Sequence, residues 1–252
     1  MFQPVSLKGG SPSPIDENIR NKYLFIYIII IIISFFPGII FEYFYFIYFL
    51  DPQFFWILLL LFPINFLIFF YGLQFSAILI SVLLLKICML IYPPKEGIFK
   101  RNIHDKNYFF WNIRNVIKKW PLFLMASNPF PWLTTRFVLR FFGVKIGKNC
   151  ICDNSWISSE FVEIRDNVII GMSSIILTFG VEEKTFIIKK IIIKENALIG
   201  AKCVIMPGTI VEEKVKLSAH SYTNYDQILN KGSIYLGHPA KLKQLKKDNG
   251  NK

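Results

Sequence analysis

Histidine is scarce in this chain, with only three residues, His104, His220 and His238. Cysteine is scarce too: Cys88, Cys150, Cys152 and Cys203 contain no CxxC, and Cys150-x-Cys152 lacks the further ligands a zinc site needs. Nothing requires an oxidising compartment. Neither a phosphate-binding glycine loop nor a G-x-G-x-x-G fingerprint is present, which excludes a fused nucleotidyltransferase. Charge is nearly missing from residues 23–92, where Glu42, Asp51 and Lys86 stand alone among long apolar runs.

Hydrophobic residues make up 53% of the 252-residue chain, and mean hydropathy is +0.43, high for a soluble protein. Residues 1–22, with Gly-Gly-Ser-Pro-Ser-Pro, read as a disordered tail, and their length and the lack of a cleavage site argue against a signal peptide. Residues 23–49 suffice to cross a ~30 Å hydrocarbon core, with a kink expected at Pro37-Gly38. Asp51-Pro52 marks a turn. Residues 53–92 have the length of about two further spans, with a hairpin expected at Gly72 and Gln74 and Lys86 snorkelling to the interface. The reading is three spans, with the C-terminal part cytoplasmic and the N-terminus outside; two spans is the alternative. Glu42 is either an intramembrane site or a helix-end carboxylate at the interface.

The net charge of +12 lies wholly beyond residue 92. Residues 93–142 hold nine Lys/Arg against Glu96 and Asp105, a balance of +7. A basic block directly after apolar spans suits an anionic cytoplasmic lipid surface, and that placement argues against nucleic acid as the partner. In residues 107–142, Trp111, Trp120 and Trp132 interleave with Arg114, Lys118, Lys119, Arg136 and Arg140. This predicts amphipathic helices that lie in the headgroup layer or pack on the following domain.

From Ile146 the chain falls into sixes: IGKNCI, CDNSWI, SSEFVE, IRDNVI, IGMSSI, then IKENAL, IGAKCV, IMPGTI, VEEKVK, LSAHSY. Nine of the twelve first positions are Ile, Leu or Val; the others are Cys152, Ser158 and Thr223. Fifth positions are mostly small, as at Cys150, Ser174, Ala197, Cys203, Thr209 and Ser221. Short strands alternate inward and outward, and a turn every six residues closes a triangular coil in three sides. Stacked coils then bury a core that no single coil can bury. Gly147, Asn149, Asp166, Asn167, Gly171 and Gly200 fall between strands, where positive φ is expected. The repeat domain covers residues 143–225, interrupted by a loop at 177–192 (LTFGVEEKTFIIKKII), and residues 226–252 close it.

IGKNC, VEIRDNVIIG, ALIGAKCVIMPGTIV and LGHPAKLKQL resemble the hexapeptide-repeat acyltransferases over about residues 143–245. The stretch from Trp156 to Lys190 is similar to their membrane-linked branch with a peptide-synthetase-terminal-like repeat domain. The resemblance implies a membrane α-helical N-terminal part followed by an all-β left-handed parallel β-helix. It also implies a homotrimer, with acyl-CoA as co-substrate in the groove between subunits. In many such enzymes the interrupting loop carries a catalytic histidine; here Phe179 stands where it is expected. The remaining candidates for the base are His220, on a turn of LSAHSY, and Glu182 and Glu183 in the loop. His238 occupies the variable position of the closing G-x-P-A-K motif. Gly200, Ala201 and Lys202, with Pro239, Ala240 and Lys241, are candidates for meeting CoA. The zinc-binding carbonic-anhydrase branch does not fit: only two histidines lie in this domain, and no metal is expected.

Two functions follow as expectations. One is a membrane-bound acyltransferase acting at the cytoplasmic face on an unidentified hydroxyl or amino acceptor. The other is a non-catalytic trimeric membrane scaffold with a degenerate transferase domain.

Overall fold

The structure, a computed structural model, describes residues 17–49, 55–126, 137–152, 155–182 and 184–243. Residues 1–16, most of the tail expected at 1–22, lie outside them, as do the Asp51-Pro52 turn, Trp132, Arg136 and Glu183, whereas residues 17–22 are helical rather than a disordered tail. Two compact units form, one from residues 15–94 and 106–129, the other chiefly from 95–105 and 130–252. The chain therefore leaves the helical unit, enters the repeat unit, returns, and leaves again.

The helical unit contains α1 (Glu17–Phe49) and α2 (Phe55–Ile91). They run antiparallel: Tyr45 Oη donates to Leu58 O (3.1 Å), Asn65 Nδ2 to both Glu42 carboxylate oxygens (3.0 Å each), and Gly38 faces the Phe69 ring. A methyl on Gly38 would come within 2.8 Å of that ring, so this glycine allows a close helix approach. α1 continues through Pro37. Glu42 is thus tied to a neighbouring helix rather than left at a helix end.

The expected hairpin at Gly72 and Gln74 is absent, because α2 is one continuous helix. One glycine costs an α-helix only about 1 kcal/mol, and the Gln74 amide finds a partner, donating to Leu124 O (3.2 Å). Among the described residues two helices, not three, are long and apolar enough to cross a membrane.

Residues 93–142 hold more than helices. β1 (Gly97–Lys100) is a strand, with α3 (Lys106–Ala126) after it. α3 packs on α1 and α2, within the helical unit. Its Trp120 Nε1 donates to Ser34 Oγ (2.9 Å), and Trp120 and Leu124 pack around Leu73 and Ala77.

The repeat unit is a parallel coil. Its strands are β2 (Lys145–Ile146), β3 (Trp156–Ile157), β4 (Val162–Ile164), β5 (Ile169–Ile170) and β6 (Ile175–Ile176). The hairpin strands β7 (Phe179–Glu182) and β8 (Thr185–Ile188) follow. The coil resumes with β9 (Ile191–Ile193), β10 (Leu198–Ile199), β11 (Val204–Ile205), β12 (Ile210–Val211), β13 (Lys216–Leu217) and β14 (Ile228–Leu229). β15 (Ile234–Leu236) and β16 (Lys241–Leu242) close it.

Three sheets form the sides: β2-β4-β9-β12-β14, β5-β10-β13-β15-β16 and β3-β6-β11. Pairing is parallel except for β16 on β15. Residues 18 apart stack, as Ile199 on Leu217; across the interruption the step is 29, as Ile170 on Ile199. The eleven additional residues make the β7–β8 hairpin. First and fifth positions are buried: Ile199, Ile205, Val211 and Leu217 share the interior with Cys203, Thr209 and Ser221.

Two sequence expectations need correction. The period of six makes Ser158 a first position, but Ile157 takes it, pairing with Ile176 and lying inside, while Trp156 points out. A short repeat and a long one offset each other here. Gly147, Gly171 and Gly200 do not adopt positive φ. They are small because the next coil passes directly over them: a Cβ would lie 2.7 Å from Ala201 Cα at Gly171 and 2.7 Å from Ala219 Cα at Gly200. The left-handed conformation sits two residues later in each repeat, at Asn149, Asn167, Ser173, Asn196, Lys202, Lys214, His220 and Asp226, with φ of 52° to 59°.

Candidate functional site

One corner of the coil gathers most of the candidate residues. Its turns stack through backbone bonds: Lys202 N donates to Met172 O (2.9 Å), His220 N to Ala201 O (2.9 Å) and Ser218 N to Tyr235 O (2.8 Å). Gly200-Ala201-Lys202 thus lies one layer from Ser218-Ala219-His220. The Lys202 and His220 side chains are exposed at the same turn position of successive coils. Histidine, like asparagine, tolerates the left-handed turn better than β-branched residues do.

The closing segment is strapped onto this corner. Gly237 N donates to Ser221 Oγ (3.1 Å), Tyr222 N to Gly237 O (3.3 Å) and Ala240 N to Tyr222 O (2.7 Å). The exposed His238 ring stacks on Tyr222, with centroids 5.6 Å apart. Lys241 is exposed, Pro239 half-buried and Ala240 buried, so Ala240 meets its neighbours through its backbone and packing. Lys202, His220, His238 and Lys241 give this end of the repeat a cationic or titratable rim.

Glu182 is not part of that rim. It ends β7, only 7% exposed, and the Tyr225 hydroxyl hydrogen-bonds to it. This candidate base is thus a buried carboxylate set against Tyr225 rather than a solvated loop charge. The turn that carries Tyr225 lies at the next corner, with the inward Ser221 and Thr223 and the outward Tyr222 between it and His220. Burial raises the Tyr225 phenol above its ordinary pKa, and the Glu182 charge adds to this, so the phenol remains a donor.

Phe179 opens β7. Its ring lies edge-on to Trp156 (6.2 Å) and tilted on Phe186 (6.5 Å). An imidazole in this aromatic cluster would lose solvation as a cation, which accounts for an apolar residue here.

Cys150 and Cys203 are core residues. Cys203 Sγ donates to Ser218 O (3.1 Å), and burial raises its thiol pKa, the opposite of what a nucleophile needs. Among the described residues no three His, Cys, Asp or Glu side chains lie together as metal ligands.

Tyr225 and β1 had no signal in the sequence. Tyr225 holds an ordinary turn position of the repeat, and β1 is a four-residue strand after two prolines. Only the stacking of coils and the course of the hairpin give either residue set its neighbours.

Residues 190–222, which include Gly200, Ala201, Lys202 and His220, match the family model for the hexapeptide repeat of succinyl-transferase. That stretch is therefore similar to the hexapeptide repeats of transferases. No curated protein matches the chain. Among solved structures, a hexapeptide-repeat acetyltransferase of Vibrio cholerae is 25% identical, with a TM-score of 0.38, over 42% of this chain and 64% of its own. This chain thus spans less than two thirds of that protein. A maltose O-acetyltransferase of Clostridium difficile 630 is 17% identical, with a TM-score of 0.43, over 57% of this chain and 91% of its own. The Vibrio cholerae enzyme has also been solved with acetyl-CoA.

Proposed function

We propose that this chain is a membrane-anchored acyltransferase that moves an acyl group from acyl-CoA to a hydroxyl or amino acceptor at the cytoplasmic face. The observation that carries the reading is the corner where the strapped closing segment meets Lys202 and His220, two residues that lie within the stretch matched by the transferase repeat model.

His220 is the base. Its imidazole takes the proton of the acceptor hydroxyl or amine, and the freed oxygen or nitrogen attacks the thioester carbonyl. The C–S bond breaks, and the imidazolium returns the proton to the leaving CoA thiolate. The Gly200–Lys202 turn, with the Lys202 and Lys241 ammonium groups, meets the phosphates and pantetheine; Pro239 and Ala240 shape the end of the groove. Glu182 serves the hairpin rather than the proton transfer, and Glu183 remains a candidate base.

The anchor rests on exposure. In the most apolar window of Tyr23–Tyr48 only 11% of residues are buried, and in that of Phe55–Ile91 33%, whereas a soluble core helix would be mostly covered. Two antiparallel spans put the N-terminus and the repeat domain on one side, the cytoplasmic one by the basic block after residue 92. A left-handed coil and a homotrimer complete the reading. Two outward faces support the trimer: Ile151, Ile169 and Leu198 on one side, Trp156, Ile175 and Tyr222 on the next, all exposed.

Thiol release from acetyl-CoA and longer acyl-CoAs by the full-length protein in detergent or bilayer tests the proposal. Absence of CoA binding by calorimetry overturns it. The packing of Phe179 at the expected base position favours a second reading, a non-catalytic trimeric scaffold, in which replacing His220 leaves function unchanged while disrupting the trimer abolishes it.

A further inference from the structure

The β7–β8 hairpin is held from two directions. On one side Tyr225 bonds to Glu182, and the Tyr225 hydroxyl occupies the space a side chain at Gly180 would need. Lys189, at the hairpin base, forms an ion pair with Asp226, the next residue after Tyr225. On the other side β1 pairs antiparallel with β8, Gly97 opposite Ile188 through Lys100 opposite Thr185. Lys190 N donates to Glu96 Oε2 (2.9 Å), and Arg101 N to Lys184 O (2.9 Å). β1 begins only six residues after α2 ends.

We propose that Tyr225 is a positioning residue which, through Glu182, latches the β7–β8 hairpin onto the coil at the corner after the one that carries His220, with β1 as the fixed outer edge of the hairpin. The functional half rests on the acyltransferase reading: the hairpin then forms a wall of the acceptor side, and the latch decides whether that wall stands closed. Gly180 is the socket of the latch, since only a residue without a side chain admits the phenol. Residues 177–192 therefore work as a held element, whichever group is the base.

Hydrogen–deuterium exchange of the full-length protein tests this, read at the amides of β7 and β8 with β10 and β13 as internal reference. Tyr225→Phe and Glu182→Ala should speed hairpin exchange about tenfold, the effect of one partly buried hydrogen bond. Gly180→Val should do the same by displacing the phenol. Glu182→Gln should stay within about twofold of wild type, because its amide oxygen still accepts from Tyr225. Reference strands should not change in any variant. Unchanged hairpin exchange in Tyr225→Phe, or equal exchange in Glu182→Gln and Glu182→Ala, overturns the latch. CoA binding measured on the same wild-type sample separates the two claims: a latch that responds as expected in a protein that binds no CoA leaves the latch standing and removes the transferase reading.

Discussion

Ser81 Oγ donates to Ile117 O at 3.0 Å, and that carbonyl is the one Pro121 leaves without its helical partner. Proline four residues on has no N–H to give, so a hydroxyl from the neighbouring helix supplies the donor. Ser81→Ala should therefore lower the stability of the helical unit by about 1 kcal/mol, and Ser81→Thr should preserve it. Denaturant titration in detergent, following tryptophan fluorescence, reads the difference. Equal loss in both variants would show that packing, not the hydroxyl, matters at this position.

The spacing of the coils depends on Gly171 and Gly200. A methyl at either position meets backbone of the next layer at 2.7 Å, so Gly171→Ala should cost roughly 1–3 kcal/mol or more. Gly232 offers the contrast: its φ is +68° and open space surrounds it. Gly232→Ala should cost only about 1 kcal/mol, through backbone strain alone, and Gly232→Asn less. Thermal unfolding of the three variants ranks the two causes.

Acid should weaken the repeat domain through Glu163. This buried carboxylate pairs with Lys190 (2.7 Å) and with Arg165. The Lys190 hydrogen bond holds its pKa below the ordinary carboxylate value, against the opposing effect of burial. The unfolded chain then binds the proton more readily than the folded one. The stabilisation is full above the unfolded pKa and disappears as pH falls through the folded one. Stability measured from pH 7 to pH 3 should fall less steeply for Glu163→Gln, which has no proton to gain.

His220 can be tested without confusing chemistry with backbone. Its φ of 59° suits asparagine, so His220→Asn keeps the turn and removes the base. Both His220→Asn and His220→Ala should lower acyl transfer by about 10²–10⁴. Retained turnover in His220→Asn would leave Glu183 as the candidate base.

In the membrane-anchored reading proposed above, two antiparallel spans predict both chain ends on one side of the bilayer, whereas three spans predict them on opposite sides. Reporter tags at residues 1 and 252 should show equal protection in sealed vesicles. Opposite protection would restore the third span.

The period of six was legible because its signal is local: Ile199, Ile205, Val211 and Leu217 announce an interior at a fixed step. The phase failed at Ser158, where two residues of similar burial compete and the repeat length itself changes. Gly171 and Gly200 stand out in the sequence as turn glycines, but a sequence displays the missing side chain and not the neighbour that excludes it. The third span failed because apolar length cannot distinguish one long helix from two short ones. Of the candidate site, the turns at 200–202 and 220 were legible from the repeat. The Glu182–Tyr225 contact was not, because 43 residues separate partners that only coil stacking brings together.

Because β1 belongs to the repeat unit, the repeat domain is not one continuous piece of chain. A fragment cut at residue 143 would release β8 from its outer neighbour. Its main-chain N–H and C=O groups would face solvent beside Ile187 and Phe186, an unguarded edge able to recruit another strand. Soluble versions of this domain should aggregate through that edge unless residues 95–105 are supplied again, in the same chain or as a separate peptide.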